Sequence, residues 1–254
     1  MKNLSALMTS VLLAMCNVVG LQAQEPNGNF YIMHEWNISP DNYDAFVEWS
    51  KEYKKVAEKT KAKSYEAVYS NGNFSFIFFA GNKQEDIQKF EKENDDWEMA
   101  HPELDALYKK YSYSARSVNA TYWQSAPDLS YVPDNYKPGD YSHSYIRFGD
   151  NYIKMDKVEE AKQIIKEYIA EYRKQKVEFK VSIYWNIMGE GWPMLRIMTQ
   201  WEDAVEWATS VKALNEKFKD NKTIEELGKR FRAVLRESNS YEGFRRPELS
   251  HTVE

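Results

Sequence analysis

Two stretches of this chain read as one: LYKKYSYSARSVNATYWQSAPDLS at 107–130 and LGKRFRAVLRESNSYEGFRRPELS at 227–250. They align without a gap at an offset of 120 residues. Leu107 falls on Leu227, and Lys109-Lys110-Tyr111 on Lys229-Arg230-Phe231. Arg116 and Asn119 fall on Arg236 and Asn239, and Pro127-Asp128-Leu129-Ser130 on Pro247-Glu248-Leu249-Ser250. Self-similarity at a fixed period marks a duplicated unit. An Arg and an Asn kept in both copies point to a structural task needed twice, such as capping the helix end before a last strand.

Ahead of this match the halves align at an offset of 114, with Tyr31-Ile32 over Tyr145-Ile146. The difference of six belongs in loops and helix lengths, where insertions are tolerated. Each half then carries the same elements. In the first, 30–38 is a strand, and Ser39-Pro40 opens a helix running to about Lys61. The stretches 64–70 and 73–81 are strands joined by the hairpin turn Asn71-Gly72. A charged helical region spans 84–111, broken near His101-Pro102, and 120–126 is the last strand. In the second, 141–149, 177–188 and 193–201 are strands; 157–174, 202–215 and 223–236 are helices; 241–253 closes the chain. The Pro-, Asp- and Gly-rich stretch 127–140 is the linker.

Strand–helix–strand–strand–helix–strand is the ferredoxin-like order, with helices on one face of an antiparallel sheet. The expected fold is therefore α+β, two ferredoxin-like repeats (24–126 and 141–254) with their sheets packed face to face. This order and duplication resemble the dimeric α/β-barrel superfamily across nearly the whole of 24–254. That resemblance implies a superfamily of small monooxygenases, haem-degrading enzymes, chlorite-dismutase-like proteins and members without known activity. The fold by itself does not choose among them.

Strand alternation sorts side chains by face. In the second half one face gathers His143, Tyr145, Arg147, Ser182, Tyr184, Asn186 and Arg196, and in the first half Tyr31, Met33 and Glu35. The expected ligand site lies between the sheets, lined by His143, Tyr145, Arg147, Tyr184, Arg196 and Glu35. Two arginines and a histidine suit an anionic group, and the rings suit an aromatic one. The competing reading is a structural polar seam in which Glu35 pairs with an arginine.

No cofactor is expected. The haem alternative rests on Trp97 and His101, four apart on one helix face, because in haem-degrading relatives a helix histidine holds iron and a tryptophan crowds the porphyrin. Only four histidines occur, without an HxH or HExxH pattern, so no metal site is expected. Phosphate-binding glycine loops and GxSxG elbows are absent as well.

Residues 1–23 read as a secretory signal: Lys2, an apolar run from Leu4 to Val19, then Leu21-Gln22-Ala23. A lipoprotein signal acylated at Cys16 is the competing reading. Cys16 is the only cysteine, so the exported chain would carry none, which excludes thiol catalysis and cysteine-held metals. Loss of Lys2 moves the formal charge from −5 to −6, the wrong sign for a nucleic-acid binder. The expectation is a periplasmic or extracellular protein, monomer or homodimer, with a small ligand between its sheets. A cofactor-free monooxygenase or haem enzyme is the first alternative, an interaction module the second.

Overall fold

The computed structural model describes residues 28–136, 145–189 and 191–253; the signal segment with Cys16, linker residues 137–140 and His143 lie outside them. The first half runs β1 (Phe30–Ile38), α1 (Tyr43–Thr60), β2 (Tyr65–Ser70), β3 (Asn73–Gly81), α2 (Glu85–Ala100), α3 (Pro102–Tyr111) and β4 (Ala115–Ser125). The second repeats it as β5 (Tyr145–Ile153), α4 (Val158–Lys174), β6 (Ser182–Met188), β7 (Met194–Trp201), α5 (Ala204–Phe218), α6 (Lys222–Val234) and β8 (Leu235–Arg245). The last strand of each half thus starts several residues before the position read from sequence.

The two sheets do face each other, but they are not separate. All eight strands join in one closed barrel of order β1-β3-β2-β8-β5-β7-β6-β4, every neighbouring pair antiparallel. The halves meet at two seams, β2 with β8 and β4 with β6. Helices cover the outside, and each half has its own core between helices and strands. The first holds Phe46, Trp49, Phe74, Phe76 and Leu104; the second holds Ile164, Ile183, Leu195 and Leu227.

Superposing the registers corrects the repeat. Phe30 pairs with Gln124 and Tyr145 with Phe244, so Phe30 corresponds to Tyr145, an offset of 115 rather than 114. The same offset carries Asn42 to Lys157 ahead of the first helix of each half, and Lys61 to Lys176, both left-handed at φ 55° and 49°. The remaining difference of five is taken up in one hairpin: Asn71-Gly72 joins β2 to β3, whereas the β6–β7 turn begins beyond the last paired residues Asn186 and Met194. A one-residue slip sends every side chain of a strand to the opposite face. Ile146, Phe148 and Asp150 therefore point into the barrel, and Tyr145 and Arg147 point out toward α5, where the Arg147 guanidinium lies 4.5 Å from the Trp207 ring.

Arg116 and Arg236 occupy matching bulges, where β4 shifts register between Asn37 and Ile38 and β8 between Tyr152 and Ile153. Arg236 donates to the Ile153, Gly191 and Trp192 carbonyls, so it ties a strand end to a hairpin rather than capping a helix. The PxLS tails after β4 and β8 cross over. Leu129 is buried in the second-half core and Leu249 in the first. Tyr131 bridges to Val181 and His251 to Tyr65, while Ser130 Oγ accepts from Ile183 N and Ser250 Oγ from Ala67 N. Each half is therefore clamped by the tail of the other. Both leucines are essentially inaccessible (2% and 0%), so Leu129→Ala and Leu249→Ala should each cost about 2–5 kcal/mol in urea unfolding. Two-state loss of both halves together is the expected behaviour in either variant.

Candidate functional site

The barrel interior is the first place the sequence points to, and it is occupied by the protein itself. Arg196 on β7 faces Asp150, its register partner on β5. Nε donates to Oδ1 at 2.7 Å and Nη2 to Oδ2 at 2.8 Å, the bidentate geometry that suits guanidinium and carboxylate. Tyr241 closes the triangle, accepting from Arg196 at 2.7 Å and donating to Asp150 at 2.9 Å. The guanidinium lies 4.3 Å from the Trp123 ring and 5.2 Å from Phe148, and Nη1 meets Met33 Sδ at 3.4 Å. Burial opposes its charge, but the Asp150 hydrogen bonds with the fields of Tyr241 and Glu35 outweigh that, and its pKa stays raised.

The sequence expectation of a polar seam inside the barrel is therefore realised with a different carboxylate. Glu35 corresponds to Asp150 in the corrected repeat, but its register partner is Ser75, and its carboxylate accepts from Asn73 Nδ2 at 3.1 Å. Tyr184 faces inward as expected, its ring 5.8 Å from Tyr31, and burial pushes its hydroxyl up. Of the candidate set, the interior thus brings together Arg196, Glu35 and Tyr184. Tyr145 and Arg147 lie outside it, joined through Glu242: the Tyr145 hydroxyl donates to Glu242 at 2.8 Å, and Arg147 stands 3.8 Å from the same carboxylate.

An open cavity lies elsewhere, between sheet and helices of the first half. It measures about 260 Å³. Trp36 of β1, Phe46 and Trp49 of α1 and Tyr108 and Tyr111 of α3 form its walls, and the turn into β4 with Arg116 forms its mouth. These rings sit on three elements and hold each other: Trp36 lies 4.9 Å from Trp49 and 6.5 Å from Tyr108, near-parallel to the latter. The Trp36 Nε1–H is buried and meets no acceptor. A buried donor left unpaired costs about 1–3 kcal/mol, and this one is closed off from the opening itself. Behind Tyr108 stands Glu98 of α2, which accepts from Asn94 Nδ2 at 3.2 Å; burial, with the nearby Glu98 charge, pushes the Tyr108 hydroxyl up. Burial raises the Glu98 carboxyl above the ordinary carboxylate range.

The second copy has no such box. Trp36, Phe46 and Trp49 correspond to Asn151, Ala161 and Ile164, and Tyr108 to Gly228. Asn151 is used up in local bonds to Gly149 O and Ser238 Oγ. The aromatic box is therefore not something the fold requires. Sequence reading missed it because each ring, taken alone, is an ordinary core residue; the signal lies in comparing the two copies at the right offset.

The described histidines are each engaged in local contacts. His101 stands at the start of α3, where Asn221 stands in α6; its Nδ1 is 2.6 Å from the Trp97 carbonyl and its ring 5.3 Å from the Trp97 indole. His34 is packed against Phe78, and His251 contacts the Ala62 carbonyl. No described histidine lines the cavity, so none could hold iron there. Among the described residues no group of His, Cys, Asp and Glu could hold a metal ion, and no helix is long and apolar enough to cross a membrane.

No family model matches the chain, and no curated protein does. Solved structures do. An anthrone oxidase-like protein is similar at 14% identity and TM-score 0.56, over 86% of this chain and 91% of its own. A proposed monooxygenase from Lactobacillus acidophilus NCFM is similar at 8% identity and TM-score 0.50, over 89% and 96%. A chlorite dismutase variant from Candidatus Nitrospira defluvii, in complex with cyanide, is similar at 14% identity and TM-score 0.50, over 87% and 92%. The chain has the dimeric α/β-barrel fold, with both repeats in one polypeptide.

Two stability measurements test this description. Asp150→Ala leaves Arg196 charged and unpaired inside the barrel and should cost about 3–5 kcal/mol. Burial holds the His34 imidazole down at about 4, from an ordinary value of 6.5. A depressed imidazole adds stability above pH 6.5 that is lost as pH falls toward 4, an effect of about 3 kcal/mol. Urea midpoints should fall across that window, and His34→Phe should flatten this part of the profile.

Proposed function

We propose that this protein binds a small flat aromatic molecule in the first-half cavity, and that it acts there as a cofactor-free oxygenase. The observation that carries the binding reading is the cavity wall of five aromatic rings, most of them absent at the matching positions of the second copy. Such a wall suits a planar ring by offset stacking and edge-to-face contact. The volume of about 260 Å³ exceeds the roughly 150 Å³ that holds a benzene and falls short of the roughly 300 Å³ where drug-sized pockets begin. One or two fused rings is the size class.

The oxygenase reading has two supports. The Tyr108 side chain, in the cavity wall, stands beside Glu98, whose raised carboxyl is a better base than an exposed one. Tyr108 can take a proton from a phenolic substrate as it passes its own to Glu98. The resulting phenolate can pass one electron to dioxygen; the phenoxyl carbon and superoxide then join as a hydroperoxide that loses water to leave a quinone, so dioxygen is the one oxidant required and no metal enters. The second support is analogy of fold with proteins described as anthrone oxidase-like and as a proposed monooxygenase. Export through 1–23 is part of the same proposal, on the strength of Lys2 and the apolar run behind it.

1-Naphthol is a suitable probe. Tryptophan fluorescence should quench saturably on titration, and Trp36→Leu should weaken binding about fivefold to tenfold, the worth of one ring contact. Tyr108→Phe should keep binding and abolish dioxygen uptake at an oxygen electrode. Unsaturable quenching, or equal affinity in Trp36→Leu and wild type, sinks the binding reading. Oxygen uptake unchanged in Tyr108→Phe sinks the catalytic one.

A further inference from the structure

A second opening lies on the other side of the molecule, where the halves join. β2 pairs with β8 only through Val68–Arg245, Tyr69–Phe244 and Ser70–Gly243. The chain then turns away at Asn71-Gly72, while β8 continues on the β5 side back to Leu235. Among the described residues the β2-facing edge of β8 is thus left without a strand partner from Glu242 back to Leu235, and a groove of about 410 Å³ opens there. Tyr69, Ser70 and Asn71 of the first half line one bank. Arg147, Tyr241, Glu242 and Phe244 of the second line the other.

Its chemistry differs from that of the aromatic box. Tyr69 and Phe244 are cross-strand partners on the outer face, and Phe244 is 43% exposed, a large ring held toward solvent. Tyr43 meets Tyr69 edge-on at 5.2 Å, and Tyr145 meets Phe244 at 5.5 Å, so the two rings are braced from both sides. The charged groups cancel. Arg147 is stacked on Trp207, donates to Ser240 Oγ at 2.9 Å and stands 3.8 Å from Glu242. Glu242 is in turn held by the Tyr145 hydroxyl. A lone arginine would select an anion; a guanidinium and a carboxylate fixed side by side offer donors and acceptors without net charge.

A braced apolar platform, edged by neutralised donors and acceptors and by an unpaired strand edge, matches a ring with one C–H face and a rim of hydroxyls. We infer that the β2–β8 groove is a carbohydrate site taking one pyranose ring, stacked on Phe244 and Tyr69 and hydrogen-bonded to Arg147, Glu242 and Asn71. Both repeats contribute, so the site exists only in the closed barrel. It does not rest on the aromatic cavity of the first half.

Saturation-transfer NMR with methyl β-D-glucopyranoside and methyl α-D-mannopyranoside tests it, with sodium benzoate as the anionic, aromatic control. Transfer should reach the ring C–H protons of at least one glycoside, with a Kd on the order of millimolar, typical of a single small ring. Phe244→Ala, at an exposed position that leaves the fold intact, should weaken it about fivefold, and Glu242→Gln should weaken it too. Trp36→Phe should leave it unchanged. The inference is overturned by absence of transfer from both glycosides, by binding of benzoate alone, or by glycoside binding that survives both groove variants.

Discussion

A four-stranded sheet with helices on one side leaves a bare face and two rows of unpaired backbone groups, and neither can be left in water at small cost. Closure of the barrel answers both demands together. Each bare face becomes the lining for the other, and each free edge is met over part of its length at a seam, three residue pairs between β2 and β8 and four between β4 and β6. The ion pair of Arg196 and Asp150 follows from this, because the lining of a closed barrel is where a charge can stay only if it is met. So do the two crossed tails, which reach the opposite core because the halves already stand edge to edge.

Much of this was legible in the residues. The offset of 120 between 107–130 and 227–250 is real and extends into structure: bulges, tails and their serine bonds all superpose. The faces of β1, β3, β6 and β7 follow plain alternation. β5 does not. Tyr145, Ile146 and Phe148 are all buried, and Arg147 is half-covered by Trp207, so neither face of the strand looks wet. With alternation silent, the Tyr-Ile doublet at 31 and 145 set the alignment one residue off, and Tyr145 and Arg147 went to the wrong side. The markers that fix the right offset, left-handed residues at Lys61 and Lys176, are backbone conformations on an unremarkable residue type. Charge pairing was equally hidden: Asp150 sits beyond Gly149, outside the stretch that reads as strand.

The two copies have come to do different work on one scaffold. In the second, a carboxylate on the inner face is met by an arginine across the sheet, and Asn151, Ala161, Ile164 and Gly228 stand where the first has the rings of Trp36, Phe46, Trp49 and Tyr108. In the first, the equivalent carboxylate faces a serine, and the space under the helices is walled with indoles and phenols. A duplicated fold allows this, since one copy can carry rigidity while the other keeps an unfilled volume and an unpaired donor. The outer position of Arg147 belongs to the same division, because it places a cation at the seam and not in the interior.

The crossed tails have a consequence for how the chain holds together in time. Pro127–Leu129 and the matching stretch at 247–249 are exchanged segments of the kind that, in separate chains, would bind two protomers into a swapped dimer. Joining them in one polypeptide turns that second-order encounter into an internal one, whose local concentration is set by a short connection and not by expression level. The mutual clamp then closes at any dilution. A protein so built keeps its barrel shut even where it is scarce.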